Sequence, residues 1–141
     1  MEQINNRLCL LSERLIVRQG YLHDYRAGLF IMVFMYKLEN LADSVRMLCD
    51  ILLRNSPLLA SKLVRQSYGQ VRDLYETLVE FVHDGNRAKL DLMQDARLGF
   101  APKLLTDTGS GSVAQARVLA AMHRIVLEIY DLAGIRLATT I

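Results

Sequence analysis

The sequence has 141 residues, and the residue types that are rare in it already exclude several classes of protein. It contains no tryptophan, two prolines, two cysteines and eight glycines. The low proline and glycine content excludes collagen-like chains, and a hydrophobic content of 52% excludes a generally disordered chain. The absence of tryptophan and a net charge of only +2 give no support to a nucleic-acid-binding surface.

Paired cysteines and long apolar runs are also missing. Cys9 and Cys49 stand among leucines and in no C-x-x-C spacing, which predicts two small buried thiols in a reducing compartment. The longest uncharged run, 27–36, has ten residues, whereas a membrane-spanning helix needs about 20. We therefore expect no transmembrane segment. Since polar residues interrupt the N-terminal apolar residues, we also expect no signal peptide, and hence a cytoplasmic protein.

Helical periodicity is what the sequence does contain. Apolar residues recur at spacings of three and four, and no segment alternates as a strand does. We predict an all-α, antiparallel helical bundle of four or five helices in a single domain, 1–141. The predicted parts are an N-terminal helix in 1–20, helices over 24–55, 57–83 and 87–98 (together the region 24–105), a flexible connection at 106–111, and a last helix over 112–141.

The same spacing predicts which residues form the core. The N-terminal segment offers Ile4, Leu8, Leu11 and Leu15, followed by a stop at Gly20. The next two helices offer Phe34, Leu38, Leu41, Val45, Leu48 and Leu52, then Ala60, Leu63, Val64, Val71, Leu74, Leu78 and Phe81, with Ser56 and Pro57 as the N-cap and first turn between them. The last helix is apolar almost all round, with Arg117, Arg124, Glu128 and Asp131 as its narrow polar stripe, and is therefore predicted to lie at the centre of the bundle.

The mean hydropathy of +0.17 is high for a soluble monomer. A buried central helix accounts for part of this excess, and an apolar surface that meets a partner is the other explanation. The run 27–36 is the candidate for such a surface. We expect a homodimer as the simplest partner arrangement.

One pair of residues suggests chemistry. Glu39 and Asp43 are separated by four positions, so both carboxylates project from the same side of a helix, about one turn apart. Bundles use such pairs, with carboxylates of a second helix, to hold hard or borderline cations. The alternative is a solvated pair in which Arg46, one turn further on, neutralises Asp43. Glu76 and Glu80 form a similar pair on a side predicted to face solvent.

Other kinds of site find no support in the sequence. The three histidines stand far apart and in no metal-binding spacing. The segment 108–112 is rich in glycine and serine but lacks the lysine of a phosphate-binding loop. A di-iron enzyme would need Glu-x-x-His pairs on two helices, and Glu80 with His83 is the one instance. We therefore expect a protein that is not an enzyme.

The region from Asp24 onwards resembles the PhoU family of phosphate-uptake regulators, which includes the PhoU-like cytosolic parts of sodium/phosphate cotransporters. The family is built of three-helix repeats that carry an E-x-x-x-D motif, and Leu38-Glu39-Asn40-Leu41-Ala42-Asp43 is similar to that motif. The stretch 71–85 is similar to the family's following helix and turn. The second copy of the motif is altered here, because Glu128 and Asp131 are three positions apart rather than four.

The resemblance implies fold, site and function together. It implies a PhoU-like three-helix repeat, and a metal ion, divalent or iron-type, held by Glu39, Asp43, Glu128 and Asp131. It implies a regulatory or accessory protein that modulates phosphate transport or its signalling by docking on a membrane transporter or sensor, peripheral to the inner membrane. The alternative is a ligand-free helical module for interaction or dimerisation, such as a scaffold or the cytosolic domain of a transporter.

Overall fold

The computed structural model describes residues 7, 9–12, 14, 17, 25–106 and 112–138. Within them no strand occurs, and the predicted all-α fold is confirmed. The α-helices are α1 (Tyr25–Arg54), α2 (Lys62–Asp84), α3 (Arg87–Asp95), α4 (Ala101–Thr106) and α5 (Val113–Ala138). A 3-10 turn, Ser56–Ala60, links α1 to α2, and a π-helical turn, Ala96–Phe100, joins α3 to α4.

The part of the chain before α1 is described at only a few positions, and these are helical. One predicted core residue is among them. Leu11 is 53% exposed, so its assignment to the core is wrong. Ile4, Leu8, Leu15 and Gly20 lie outside the described residues.

The connection between α1 and α2 differs from its prediction. Ser56 and Pro57 begin the 3-10 turn, none of whose residues is buried. The second helix starts only at Lys62, because Ser61 has extended backbone angles and its hydroxyl accepts a hydrogen bond from the amide of Val64. Ala60, predicted to be core, is exposed.

The chain turns at Gly85, between the helices predicted over 57–83 and 87–98. Gly85 has a φ of 66°, a left-handed conformation that glycine adopts without steric cost, and its amide donates to the carbonyl of Phe81. Asn86 then caps α3 by accepting a hydrogen bond from the amide of Ala88.

The chain stays helical beyond residue 98, where the third predicted helix ends. Gly99 lies in the π-helical turn and Pro102 in the first turn of α4. A proline at the start of a helix needs no amide partner, so the chain continues through it after an irregular turn. Thr106, predicted to begin the flexible connection, is instead the last residue of α4. The other residues of that predicted connection, 107–111, lie outside the described part.

The last helix is central, as predicted. Ser112 caps α5 by accepting a hydrogen bond from the amide of Gln115 at 3.2 Å. The helix packs against α1, α2 and α4, and buries residues on most of its circumference. Within the described residues, no helix combines the length and hydrophobicity that a membrane crossing requires.

The inner core lies where α2, α3, α4 and α5 meet. It is apolar apart from Ser67, and several of its large side chains are fully buried. Those that carry most volume are Phe81, Met93, Leu104, Met122, Ile129 and Leu132.

Candidate functional site

The two helices that carry the predicted site residues pack against each other in antiparallel fashion. Lys37 of α1 contacts Asp131 of α5, and Ser44, further along α1, contacts Glu128, which comes earlier on α5. We call this contact the α1–α5 seam. On α1 it is formed by Lys37, Leu41, Ser44 and Leu48, at spacings of four, three and four residues, and on α5 it includes Arg124, Glu128 and Asp131.

Asp131 is held by a lysine. The ammonium Nζ of Lys37 lies 2.8 Å from Oδ2 of Asp131, and both side chains remain partly exposed. The hydrogen bond to Asp131, followed by the charge of that carboxylate, raises the pKa of Lys37 above its ordinary value. Asp131 therefore already has a cation, which its own chain supplies.

Glu128 is the most buried charged residue of the described chain, at 8% exposure. Its Oε1 accepts two hydrogen bonds, from Oγ of Ser44 at 3.0 Å and from Nε of Arg124 at 2.8 Å. Its Oε2 is buried and has no hydrogen-bond partner. A buried carboxylate needs partners, since transfer out of water is costly, and here only one of its two oxygens is satisfied.

The E-x-x-x-D carboxylates lie on another side of α1. At about 100° per residue, Glu39 projects roughly 170° and Asp43 roughly 130° away from the mean direction of the α1 residues in the seam. Asp43 is exposed and lies 3.6 Å from the guanidinium of Arg46. The ion-paired alternative for Asp43 is therefore the one that the geometry supports.

Glu39 faces the N-terminal part of the chain. Burial, followed by the charge of Glu39 and a hydrogen bond to it, raises the pKa of the Cys9 thiol. Cys9 is half-buried, in line with a structural thiol. The prediction that Cys49 is buried is wrong, because its side chain is exposed on α1.

The four predicted metal ligands are not brought together. The structure places Glu128 and Asp131 in the seam, and turns Glu39 and Asp43 away from it. Within the described residues, no group of three or more His, Cys, Asp or Glu side chains is arranged to hold a metal ion. The set does not fit a metal, and the metal site stays a prediction without geometric support.

The second acidic pair is also occupied. Glu76 lies 3.6 Å from Arg72, and Glu80 lies 2.7 Å from the ammonium of Lys89. Lys89 also contacts Asp84 at 2.6 Å. These are surface ion pairs of the α2–α3 turn and its vicinity, in agreement with the expected solvent-facing side.

One open cleft adjoins the far end of the seam. It has a volume of about 450 Å³ and lies between the last turns of α1 and the first turns of α5. Apolar side chains and two arginines, Arg54 and Arg117, line it together with Asp50. All three charged side chains are exposed, so the cleft is a surface depression.

A row of exposed apolar side chains follows α1 outside the seam. Leu38, Val45, Cys49 and Leu53 recur at seven, four and four positions, and all four are exposed. We call these four residues the outer row. Leu38 and Val45 were predicted to be core, and that prediction is wrong because the neighbouring positions, Lys37 and Ser44, face α5 instead.

Comparisons of the chain with protein-family models, curated proteins and solved structures find no match. The similarity to the PhoU family therefore depends on the residues quoted for it. The arrangement of the seam has to be interpreted from its own chemistry.

The seam residues that the sequence did not indicate are Lys37 and Ser44. Their signal was present, because both stand at helical spacing with Leu41 and Leu48. Two polar residues in an otherwise apolar heptad pattern mark a helix contact that contains a polar network.

Proposed function

We propose that this protein is a non-enzymatic helical interaction module that docks a partner protein on the outer row of α1. The observation that carries the proposal is the row itself: Leu38, Val45, Cys49 and Leu53 are exposed on one side of one helix. Leu53 is 79% exposed. Single exposed leucines are ordinary on protein surfaces, whereas several exposed apolar side chains along one side of a helix are typical of a docking face.

The occupant that fits is an amphipathic helix of the partner. A row at helical spacing presents ridges that a second helix packs against, with apolar anchors at every third or fourth position. Charged residues border the row, among them Asp43, Arg46 and Asp50, all exposed. Such a polar border sets the orientation of a bound helix while the apolar row supplies the free energy of binding.

The chemistry of the polar residues favours binding over catalysis. Asp43, Asp131 and one oxygen of Glu128 are each engaged by cations or hydroxyls of the same chain. A general base or metal ligand has to offer free oxygens to a substrate or ion. The outer row, in contrast, is directly accessible to a partner.

The resemblance to the PhoU family gives the proposal a narrower form. In this form the partner is a membrane transporter or sensor, and docking modulates phosphate transport or its signalling. Comparison of phosphate uptake between cells with the unchanged protein and cells with Leu53→Lys tests it. Equal uptake with both proteins at equal abundance contradicts the narrower form and leaves the interaction module in place.

The interaction itself is tested by site-specific photo-crosslinking in cells. A photoreactive amino acid at Leu53 is expected to give a discrete adduct, and Val45→Lys in the same protein is expected to remove it. Leu98, a leucine of the π-helical turn that is 67% exposed, is the matched control position. Adducts of equal strength from both positions, or adducts that Val45→Lys leaves unchanged, contradict the proposal.

A further inference from the structure

α1 is attached to the rest of the described structure almost entirely through α5. Its other substantial contact is with the 3-10 turn that leads out of it, and its contacts with α2, α3 and α4 are marginal. The helices α2 to α5, in contrast, contact several neighbours each, and the buried core that they form includes only Leu41 and Leu48 from α1. α1 is therefore the helix whose contacts with the rest of the described structure are concentrated on a single neighbour.

The surface that holds α1 is partly polar. The seam contains the ion pair of Lys37 and Asp131, the hydrogen bond of Ser44 to Glu128, and a buried carboxylate oxygen without a partner. Desolvation of such groups offsets much of what their interactions contribute. The polar groups of the seam thus specify the register of the bound helix, while apolar side chains such as Leu41 and Leu48 stabilise the contact.

The connection to α1 is able to rearrange. None of the 3-10 residues, Ser56–Ala60, is buried. Asn55 before them has a φ of −130° and a ψ of 51°, so the chain leaves the helical conformation at that residue. Leu58 is partly buried against the core, whereas the other four residues of the turn are exposed, so a change of direction at Asn55 leaves most of the core packing undisturbed.

We propose that α1 exchanges between two copies of the chain, so that each α1 packs on the α5 of the other copy. The α1 of a second copy fits this surface, because it makes the same seam contacts as the α1 that it replaces. The polar groups of the seam then fix the register of the exchanged helix. This inference goes beyond docking on the outer row and does not depend on it.

The test is charge complementation at the seam. Lys37→Asp and Asp131→Lys each place like charges opposite one another within a single chain. In an exchanged heterodimer of the two variants, the introduced aspartate of one chain meets the introduced lysine of the other, and the second seam is unchanged. Equimolar variants are unfolded together in denaturant, refolded, and analysed by native mass spectrometry.

The expected result is a heterodimer in several-fold excess over its statistical share of the dimers. Monomers alone, or homodimers and heterodimers in statistical proportion, overturn the proposal. The matched control is the exposed pair within α2, Arg72 with Asp73 at 2.9 Å. A mixture of Arg72→Asp and Asp73→Lys cannot complement between copies, so no excess heterodimer is expected from it.

A second experiment shortens the connection and leaves the seam unchanged. Deletion of Leu58, Leu59 and Ala60 leaves too few residues for α1 to return to its own α5, and an obligate dimer is expected by light scattering. A folded monomer overturns the proposal. Introduction of Leu53→Lys into the deletion variant separates the two hypotheses, because an exchanged dimer persists in that background and a dimer formed through the outer row is lost.

Discussion

The α1–α5 seam and the inner core are two helix contacts of different composition in the same protein. The inner core is formed by large apolar side chains, such as Phe81, Met122 and Leu132, that are almost completely buried. The seam alternates Leu41 and Leu48 with polar residues. Burial of apolar area contributes about 25 cal/mol per Å², whereas a buried polar contact contributes little beyond its own desolvation cost.

The difference has a consequence for cooperativity. A helix held by an apolar core separates only when the whole domain unfolds, while a helix held by a mixed seam can open at a lower free energy. We therefore expect the four-helix part, α2 to α5, to set the global stability. Among the described helices, α1 is expected to be the first to exchange its amide hydrogens.

The largest effect is predicted for the inner core. Phe81 is 1% exposed, and Phe81→Ala removes a large buried ring, which typically costs about 3–5 kcal/mol. Urea denaturation followed by circular dichroism measures the change. Tyr75→Ala on the exposed side of the same helix is the control, with a cost expected below about 1 kcal/mol because surface substitutions have small effects. Equal costs for the two variants contradict the assigned core.

A smaller effect is predicted for the buried part of the seam. Ser44→Ala removes one of the two donors of Glu128 and is expected to cost about 1–3 kcal/mol, since it leaves the buried carboxylate less satisfied. Ser67→Ala, at a buried serine of α2, is the matched control with the smaller expected cost. The free energy of unfolding of both variants is measured in urea.

The double variant Ser44→Ala/Glu128→Leu sharpens the comparison. It replaces the polar contact with an apolar one, and replacement of buried charges by apolar residues of similar volume is often neutral or stabilising. We expect the double variant to be more stable than Ser44→Ala alone. A double variant that is less stable than Ser44→Ala contradicts the interpretation that the polar groups of the seam fix the register of α1 on α5 without adding stability.

The seam also shows how far the sequence predicts this fold. Periodicity correctly predicts α1 and its core positions Phe34, Leu41 and Leu48. It also places Leu38 and Val45 in the core, although both are exposed. Leu38 with Val45 and Lys37 with Ser44 both have helical spacing, and hydrophobicity alone favours the first pair as core residues. Which side of α1 faces α5 is decided by partners on α5, and a single-helix pattern does not contain that information.

The candidate site shows the same limit. The sequence identifies Glu128 and Asp131 as residues of a shared polar stripe, and the structure places both in the seam. Their partners, Lys37 and Ser44, are 94 and 84 residues away along the chain. Pairing at that separation follows from the packing of whole helices, so the motif at Glu39 and Asp43 could not indicate which carboxylates meet.

A still smaller effect is predicted for the exposed part of the seam. Asp131 raises the pKa of Lys37 above its ordinary value of 10.5, so the ion pair stabilises the fold below that pH and is lost as the pH rises through the raised value. Both side chains are at least a third exposed, and such pairs contribute about 0.2–1 kcal/mol. Measured in urea between pH 9 and the strongly alkaline range, Lys37→Gln is expected to lose less stability than the unchanged protein. Parallel curves for the two proteins contradict this assignment.

The smallest effect belongs to an ion pair beside the inner core, at the turn from α2 to α3. A hydrogen bond from Lys89, followed by one from the amide of Asn86, lowers the pKa of Asp84 below its ordinary value. Its contribution is therefore present above that value and lost as the pH falls through the lowered one. We expect Asp84→Asn to remove part of the acid sensitivity of unfolding and to leave amide exchange in α1 unchanged. If exchange in α1 accelerates as well, the turn and the seam are coupled, and the separation of α1 from the four-helix part is wrong.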